Sequence, residues 1–294
     1  VNAASITGNT LPSPVYGQNN FSRQSWSVPG VFDGLTGSLR LKHRLDNGWM
    51  WTTQVGAQRL KTDDRLSYAY GCYAEGNYDR FCSDTTFDLY DYRSENERRI
   101  NDALQTELSG QVQLAGIQHE LAFSWLRQRQ IDKLSPMQAY NWAGTGSLSG
   151  LSESAAAPEP YDLNTNRQEY STEISVKDRI RVNRLADLWL GLRSSHIQRD
   201  SQRTDGSRAT HDDRTITTPW VAFSHKLPYN ATGYASYGQG VEAQVTPNRS
   251  RYTNAGEALP SAKSTQKELG IKGSQGPWLL NATLFDITRP VWGD

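Results

Sequence analysis

The chain has 294 residues, enough for one or two ordinary domains, and its 31 basic and 31 acidic side chains cancel. That balance excludes the one-signed electrostatic footprint of a nucleic-acid or anionic-surface binder. Apolar residues make up only 36%, no stretch approaches the roughly 18 uninterrupted apolar residues of a transmembrane helix, yet 9 Trp, 14 Tyr and 7 Phe are present. Few apolar but many aromatic residues fit strands that show only alternate side chains to an apolar phase.

The first seventeen residues lack the basic start and apolar run of a signal peptide, and there is no initiator Met, so the sequence reads as a mature chain or an internal piece. Alternation begins at Gly37. Leu39, Leu41 and Leu45 share one face, Asp46-Asn47-Gly48 turns the chain, and Trp49, Trp51, Val55 and Ala57 return on one side. Asn-Gly is the preferred two-residue hairpin turn because both positions accept positive φ. From Leu104 to Leu114 every second residue is Leu, Thr, Gly or Val with Gln, Glu or Ser between. After Ala115-Gly116 the pattern restarts with Leu121, Phe123 and Trp125. Tyr170, Thr172, Ile174 and Val176, then Leu188, Leu190 and Leu192, repeat it. Further segments of this character start near Arg214, Ala231, Ser264 and Pro277. The pattern predicts about ten strands and no amphipathic helix: an all-β chain.

Strands near eleven residues exceed the usual 5–6 and match the roughly 9–11 needed to cross a bilayer at a tilt. Connections alternate as well. Tight turns fall at Asp46–Gly48, Ala115-Gly116, Ile180–Leu185, Pro228-Tyr229 and Ser274–Gly276. Long excursions are expected at Lys61–Glu95, Leu134–Asn166, Asp200–His211 and Val241–Ser261. Short turns at one end and long loops at the other describe an antiparallel up-and-down transmembrane β-barrel. A soluble sandwich alternates too, with one face buried, and stays as an alternative; strand length, one-sided loops and aromatics favour the barrel.

Cys72 and Cys82 lie in the first long excursion, where two nearby cysteines in a polar exported loop read as a disulfide, with free thiols or a metal site as the other options. The histidines at 43, 119, 196, 211 and 225 match no zinc spacing, and Thr204–Asp213 lacks the spacing of a calcium loop, so no metal or cofactor is expected. No phosphate loop, nucleophile elbow or paired-carboxylate cleft can be assembled, which argues against an enzyme. Asn-Xaa-Ser/Thr triplets at Asn230, Asn248 and Asn281 carry no meaning in a bacterial outer-membrane chain.

Tyr234–Gly273 resembles the barrel segment of TonB-dependent ferric-siderophore receptors, carried by Tyr234–Tyr237, Asn254–Gly256, Leu259-Pro260, Lys263-Ser264 and Glu268–Lys272 in that order. Leu104–Trp125, with His119-Glu120-Leu121 opening its second strand, is similar to an earlier hairpin, and Leu284–Asp294 to a strand end and loop start; the likeness covers most of Gly37–Asp294. The resemblance implies a barrel of about 22 strands, of which about ten are expected here, the remainder with the globular plug lying outside these 294 residues. The whole chain is then one part of a single barrel domain, with two open edges that preclude transport by the piece alone.

It also implies energy-coupled uptake of a ferric siderophore or similar bulky chelate. The partners are an energy-transducing TonB protein acting through the plug and the lipid of a Gram-negative outer membrane, with no nucleic acid. Such ligands are bulky and often anionic or aromatic, so rings and guanidinium groups in the long loops suit them. Candidates are Tyr68, Tyr70 and Tyr73, then Tyr140 and Trp142, then Arg249, Arg251 and Tyr252. The competing reading places the Tyr and Trp side chains in the interfacial girdle of any such barrel. Trp49, Trp51 and Trp125 are expected to face lipid. A passive porin-like barrel and a soluble all-β binding module remain the alternative functions.

Overall fold

The computed structural model describes residues 17–154, 160, 162–247 and 251–290. Its strands are β1 (Val31–Arg44), β2 (Met50–Ala69), β3 (Thr86–Leu114), β4 (Ile117–Lys133), β5 (Met137–Ser147), β6 (Asp162–Leu163), β7 (Thr165–Arg181), β8 (Ala186–Arg203), β9 (Thr210–Leu227), β10 (Ala231–Glu242), β11 (Ala262–Gln275) and β12 (Trp278–Thr288). Ten form one antiparallel sheet in the order β1-β2-β3-β4-β7-β8-β9-β10-β11-β12; β5 pairs with the distal part of β3, and β6 with β5. Among the described residues β1 and β12 do not pair with each other, so each keeps one free hydrogen-bonding edge.

Register assigns the two faces. Val55, Leu104 and Arg127 form one row; Trp51, Leu108, Phe123, Val176 and Leu192 form another four residues along. Leu188, Phe223, Ala235, Leu269 and Leu284 continue this apolar face across the later strands. Its side chains are largely exposed: Leu39, Trp51, Phe123, Ile174, Leu192, Phe223 and Leu269 all project outward. Trp49 and Trp125 share the parity of this face. The opposite face carries Gln54, Gln105 and Glu173 in one row and Gln58, Asn101, Gln130, Glu169, Arg199 and Asp212 in another. A sheet apolar on its exposed face and polar on the other is the inverse of a water-soluble packing.

The tight ends lie where the alternation stops. At Ala115-Gly116 both residues have positive φ (50° and 79°), as do Tyr229 and Asn230 (60° and 55°), which is the twist that matches antiparallel strands. The Asn47-Gly48 turn differs from expectation. Only Gly48 is left-handed (φ 82°), the Gly48 N–H donates to Leu45 O, and the Asn47 side chain accepts from Trp49 N. Leu45 and Trp49 therefore close a slightly wider loop, in which asparagine serves as a side-chain acceptor.

At the other end the expected long loops are largely strand. β2 runs on to Ala69 and β3 starts at Thr86, so most of Lys61–Glu95 is a ribbon extending past the wall. Leu134–Asn166 contains β5, and Asp200–His211 narrows to a turn because β8 reaches Arg203 and β9 starts at Thr210. Beyond the apolar face a strand meets water on both sides, so its alternation fades while its backbone pairing persists. The register shifts between Thr62/Asp64 on β2 and Glu97/Ser94 on β3, where Asn96 takes φ 58° and donates its N–H to Asp63 Oδ1 at 2.5 Å. The extra residue on β3 is a β-bulge: β2 keeps its phase, while on β3 the polar face passes from odd-numbered to even-numbered residues.

Candidate ligand-binding face

Above the bulge, the strand parity that carries Thr62 and Glu97 carries Tyr68 opposite Tyr90, and Tyr92 opposite Tyr140. Tyr90 and Tyr140 stack with centroids 5.3 Å apart and planes 20° apart; Tyr68 lies 5.6 Å from Tyr140 and 6.4 Å from Tyr90. Trp142, directly opposite Tyr90, donates its indole N–H to Asp88 Oδ1 at 2.9 Å and leaves 57% of its surface open. Burial, then the Asp88 carboxylate, pushes the Tyr90 phenol above its ordinary pKa, so at neutral pH it is a neutral hydrogen-bond donor. Three rings and an indole on one polar-side surface make a stacking platform for flat or aromatic ligand groups.

The opposite parity builds what holds this platform. Phe87 and Leu89 point away from it and form a small core with Phe81, on which Phe21, Ala69 and Leu148 pack. Gln24 seals the core's edge: its amide donates to Ser152 O at 2.9 Å and its carbonyl accepts from Ser154 N at 2.7 Å. Cys72 and Cys82 are joined as a disulfide with Cα atoms 5.1 Å apart, both buried. Between them a single turn of 3-10 helix, Tyr73–Glu75, is followed by left-handed Gly76. Asp88 ties the lobe to the platform, accepting from Tyr73 N at 2.6 Å with the oxygen that does not hold Trp142.

Of the residues singled out in the sequence, Tyr68, Tyr140 and Trp142 are therefore brought together. Tyr73 is not: its ring is 69% exposed and pairs with Tyr78 at 6.3 Å on the far side of the disulfide turn. Tyr70 begins the same loop, exposed, its N–H spent on Asp88 O. Arg251 stacks on its neighbour Tyr252, 4.8 Å above the ring centroid, and donates to its hydroxyl at 2.6 Å. Their ring and hydrogen-bond contacts are with each other, and Arg249 lies outside the described residues. Tyr90 and Asp88 were hidden inside a stretch read as loop; treating Thr86–Arg93 as a strand would have placed both on the Tyr68 face.

A second feature lies on the polar face of β7–β9. The β10–β11 connection folds back on itself, with Val245 bridged to Ala258 and Leu259 N donating to Gln244 O. The wall grips it largely through main-chain oxygens. Arg199, its side chain only 6% exposed, holds Glu169 at 2.8 Å and donates to Gln244 O at 3.1 Å and to Leu259 O. Arg214 donates to Ser261 O at 3.0 Å, Arg167 to Gly256 O at 3.4 Å and Thr165 to Ala255 O at 3.0 Å. Each arginine also holds a wall carboxylate (Asp212, Asp132 or Glu169), so the grip is neutral overall. The result is a strap across the polar face of the sheet.

The fold matches solved receptors. The structure of BauA, the ferric preacinetobactin receptor from Acinetobacter baumannii, superimposes with a TM-score of 0.66 at 16% identity, over 88% of this chain and 38% of that one. FpvA of P. aeruginosa, solved with bound pyoverdine–iron, gives 0.66 at 17% identity over 98% and 36%. FauA, the alcaligin outer-membrane receptor from Bordetella pertussis, gives 0.56 at 17% over 88% and 37%. This chain thus spans well under half the length of each. No curated protein matches it in sequence. The family model for the TonB dependent receptor-like β-barrel matches residues 2–290, and on that match over nearly its whole length the chain belongs to the TonB-dependent receptor β-barrel family.

Proposed function

We propose that this chain is part of the barrel wall and ligand-capturing surface of an outer-membrane receptor that imports a ferric siderophore, or a similar bulky iron chelate, by energy coupled through TonB. The observation that carries the reading is the Tyr68–Tyr90–Tyr140 platform with Trp142 beside it, at the long-loop end of a sheet whose other face is apolar. On this reading the platform stands above the outer leaflet, on the side from which a chelate arrives. The related structures include receptors for ferric preacinetobactin, alcaligin and ferripyoverdine, which supports the same ligand class here. No bond is made or broken in this role; the ligand is held and handed on.

The test is uptake of radiolabelled iron complexes by iron-starved cells expressing the whole receptor. The expected result is saturable uptake of at least one ferric siderophore, lost when TonB is removed and weakened by Tyr140→Ala with Trp142→Ala. Uptake that persists without TonB and scales linearly with solute concentration would establish the porin reading instead.

A further inference from the structure

We infer, resting on the reading of the Tyr68–Tyr90–Tyr140 surface as the chelate-capturing site, that this surface takes a positively charged group: the ammonium or guanidinium arm of a ferric chelate whose overall charge is zero or positive. The three ring centroids form a triangle with sides of 5.3, 5.6 and 6.4 Å. Tyr140 and Trp142 leave 37% and 57% of their surfaces open. An aromatic face carries negative charge density, so a cation within about 6 Å of a ring centroid is attracted to it, most strongly by indole. Trp142 donates its N–H to the Asp88 carboxylate, and a donor bonded to an anion is polarised so that its ring becomes more negative.

The fixed charges around the rings have the same sign as the ring faces. Asp88 is only 7% exposed, and its two oxygens are taken by neutral donors, the Trp142 indole and the Tyr73 main-chain N–H. Among the described residues no Lys or Arg lies within ion-pair distance of it. A charge buried in this way is weakly screened and acts on an approaching ligand before contact. Arg65 and Arg93, the cations next along these strands, stand opposite each other on the reverse side of the ribbon, where Asp91 holds Arg93 at 3.0 Å.

On the platform's own parity, β2 and β3 above the wall carry the carboxyl groups of Asp64, Asp88 and Glu97 against the single guanidinium of Arg99, which is committed to Glu97 at 2.6 Å. The β5 segment that supplies Tyr140 and Trp142 contains no charged residue. Burial, and then the Glu97 carboxylate, pushes the Asp64 carboxyl above its ordinary pKa, the direction expected where no cation answers a group of acids. A polyanionic complex such as a ferric tricatecholate meets like charge here. A complex with a cationic arm meets complementary charge from the rings and from Asp88 together, so the surface sorts cargo by its sign.

The experiment titrates the full-length receptor in detergent with three ferric complexes. Two differ in one group only: a linear trihydroxamate ending in a primary ammonium, and the same complex with that amine acetylated. The third is a ferric tricatecholate. Wild type is expected to bind the ammonium form about 5- to 30-fold more tightly than the acetylated form, with the tricatecholate weakest. Asp88→Asn, which keeps an acceptor for the indole, and Tyr140→Leu, which keeps an apolar contact, should each lower that preference about 3- to 10-fold. Equal affinity of wild type for the matched pair, a comparison independent of any variant, would overturn the inference, as would tighter binding of the tricatecholate or an Asp88→Asn receptor with the full preference. In those cases saturable, TonB-dependent uptake of the complex that does bind leaves the receptor reading standing. Failure to bind any of the three would overturn both.

Discussion

Tyr90 and Tyr140 stack face to face at 5.3 Å although they are not ladder partners: Tyr140 stands opposite Tyr92, and Tyr90 opposite Trp142. The contact is diagonal across two strands that diverge from the wall, and it exists because β5 pairs with β3 above the point where β4 has ended. The aromatic platform is thus a property of the extension.

Tyr140→Ala removes the ring that both Tyr68 and Tyr90 contact. An aromatic pair contributes about 0.5–1.5 kcal/mol beyond its burial, so affinity for an aromatic iron chelate should fall roughly 3- to 10-fold. Tyr140→Phe should bind nearly as wild type. Quenching of Trp fluorescence on titration with the chelate measures both.

Breaking the Cys72–Cys82 bridge by Cys72→Ser with Cys82→Ser should loosen the lobe and leave the wall intact. Cross-links over a separation of 10 residues stabilise by about 2–3 kcal/mol in the chain-entropy treatment. The expected signature is fast proteolytic cleavage between residues 70 and 85, with unchanged heat-modifiable migration of the barrel. Uncut lobe in the double variant would refute the staple role.

A methyl group at Gly146 would stand 2.1 Å from Phe87 Cε2, inside the Phe81–Phe87–Leu89 core. Gly146→Ala should therefore displace the Phe87 ring and cost about 1–3 kcal/mol of local stability. Gly116→Ala, with nothing within 4 Å but φ 79°, should cost about 1 kcal/mol through backbone strain alone. Denaturant melts followed by lobe proteolysis and by barrel migration separate the two effects.

Arg199→Met leaves Glu169 without its guanidinium and frees the carbonyls of Gln244 and Leu259. Leaving a partly exposed carboxylate and two carbonyls without their donor should cost about 1–3 kcal/mol, here drawn from the seating of the strap. Amides of Thr246, Gly256 and Leu259 should then exchange hydrogen much faster, and outer-membrane permeability to small antibiotics should rise. Unchanged exchange at those amides would show that the strap is seated by other contacts.

His211 Nδ1 lies 2.6 Å from Asp200 Oδ1, and that hydrogen bond raises the imidazole pKa above its ordinary value. A raised folded-state value means that the stabilisation is complete below the unfolded pKa, about 6.5, and disappears as pH climbs through the folded value. The histidine resonance should titrate above 6.5 in the wild type and near it in Asp200→Asn.

The wall was legible because lipid enforces alternation: Leu104 to Leu114 and Ile117 to Trp125 could be paired from their lettering alone. Above the belt nothing enforces it. Thr86–Arg99 carries charges on both faces and an inserted residue at Asn96, so the alternation there is both weak and out of phase across the bulge. Scored separately on either side of Asn96 the strand is visible, with Asp88, Tyr90 and Tyr92 on one face. The β10–β11 strap left no trace of another kind. Its anchors are backbone oxygens, and the side chains that hold it are a threonine and three arginines as far as 90 and 89 residues away in sequence.

That choice of anchor has an evolutionary reach. Main-chain carbonyls are present whatever residue occupies a position, so the strap's side chains are free to change without loss of the grip. The constraint sits in the wall, at Thr165, Arg167, Arg199 and Arg214, and a change at one of them weakens the grip whatever sequence the strap carries.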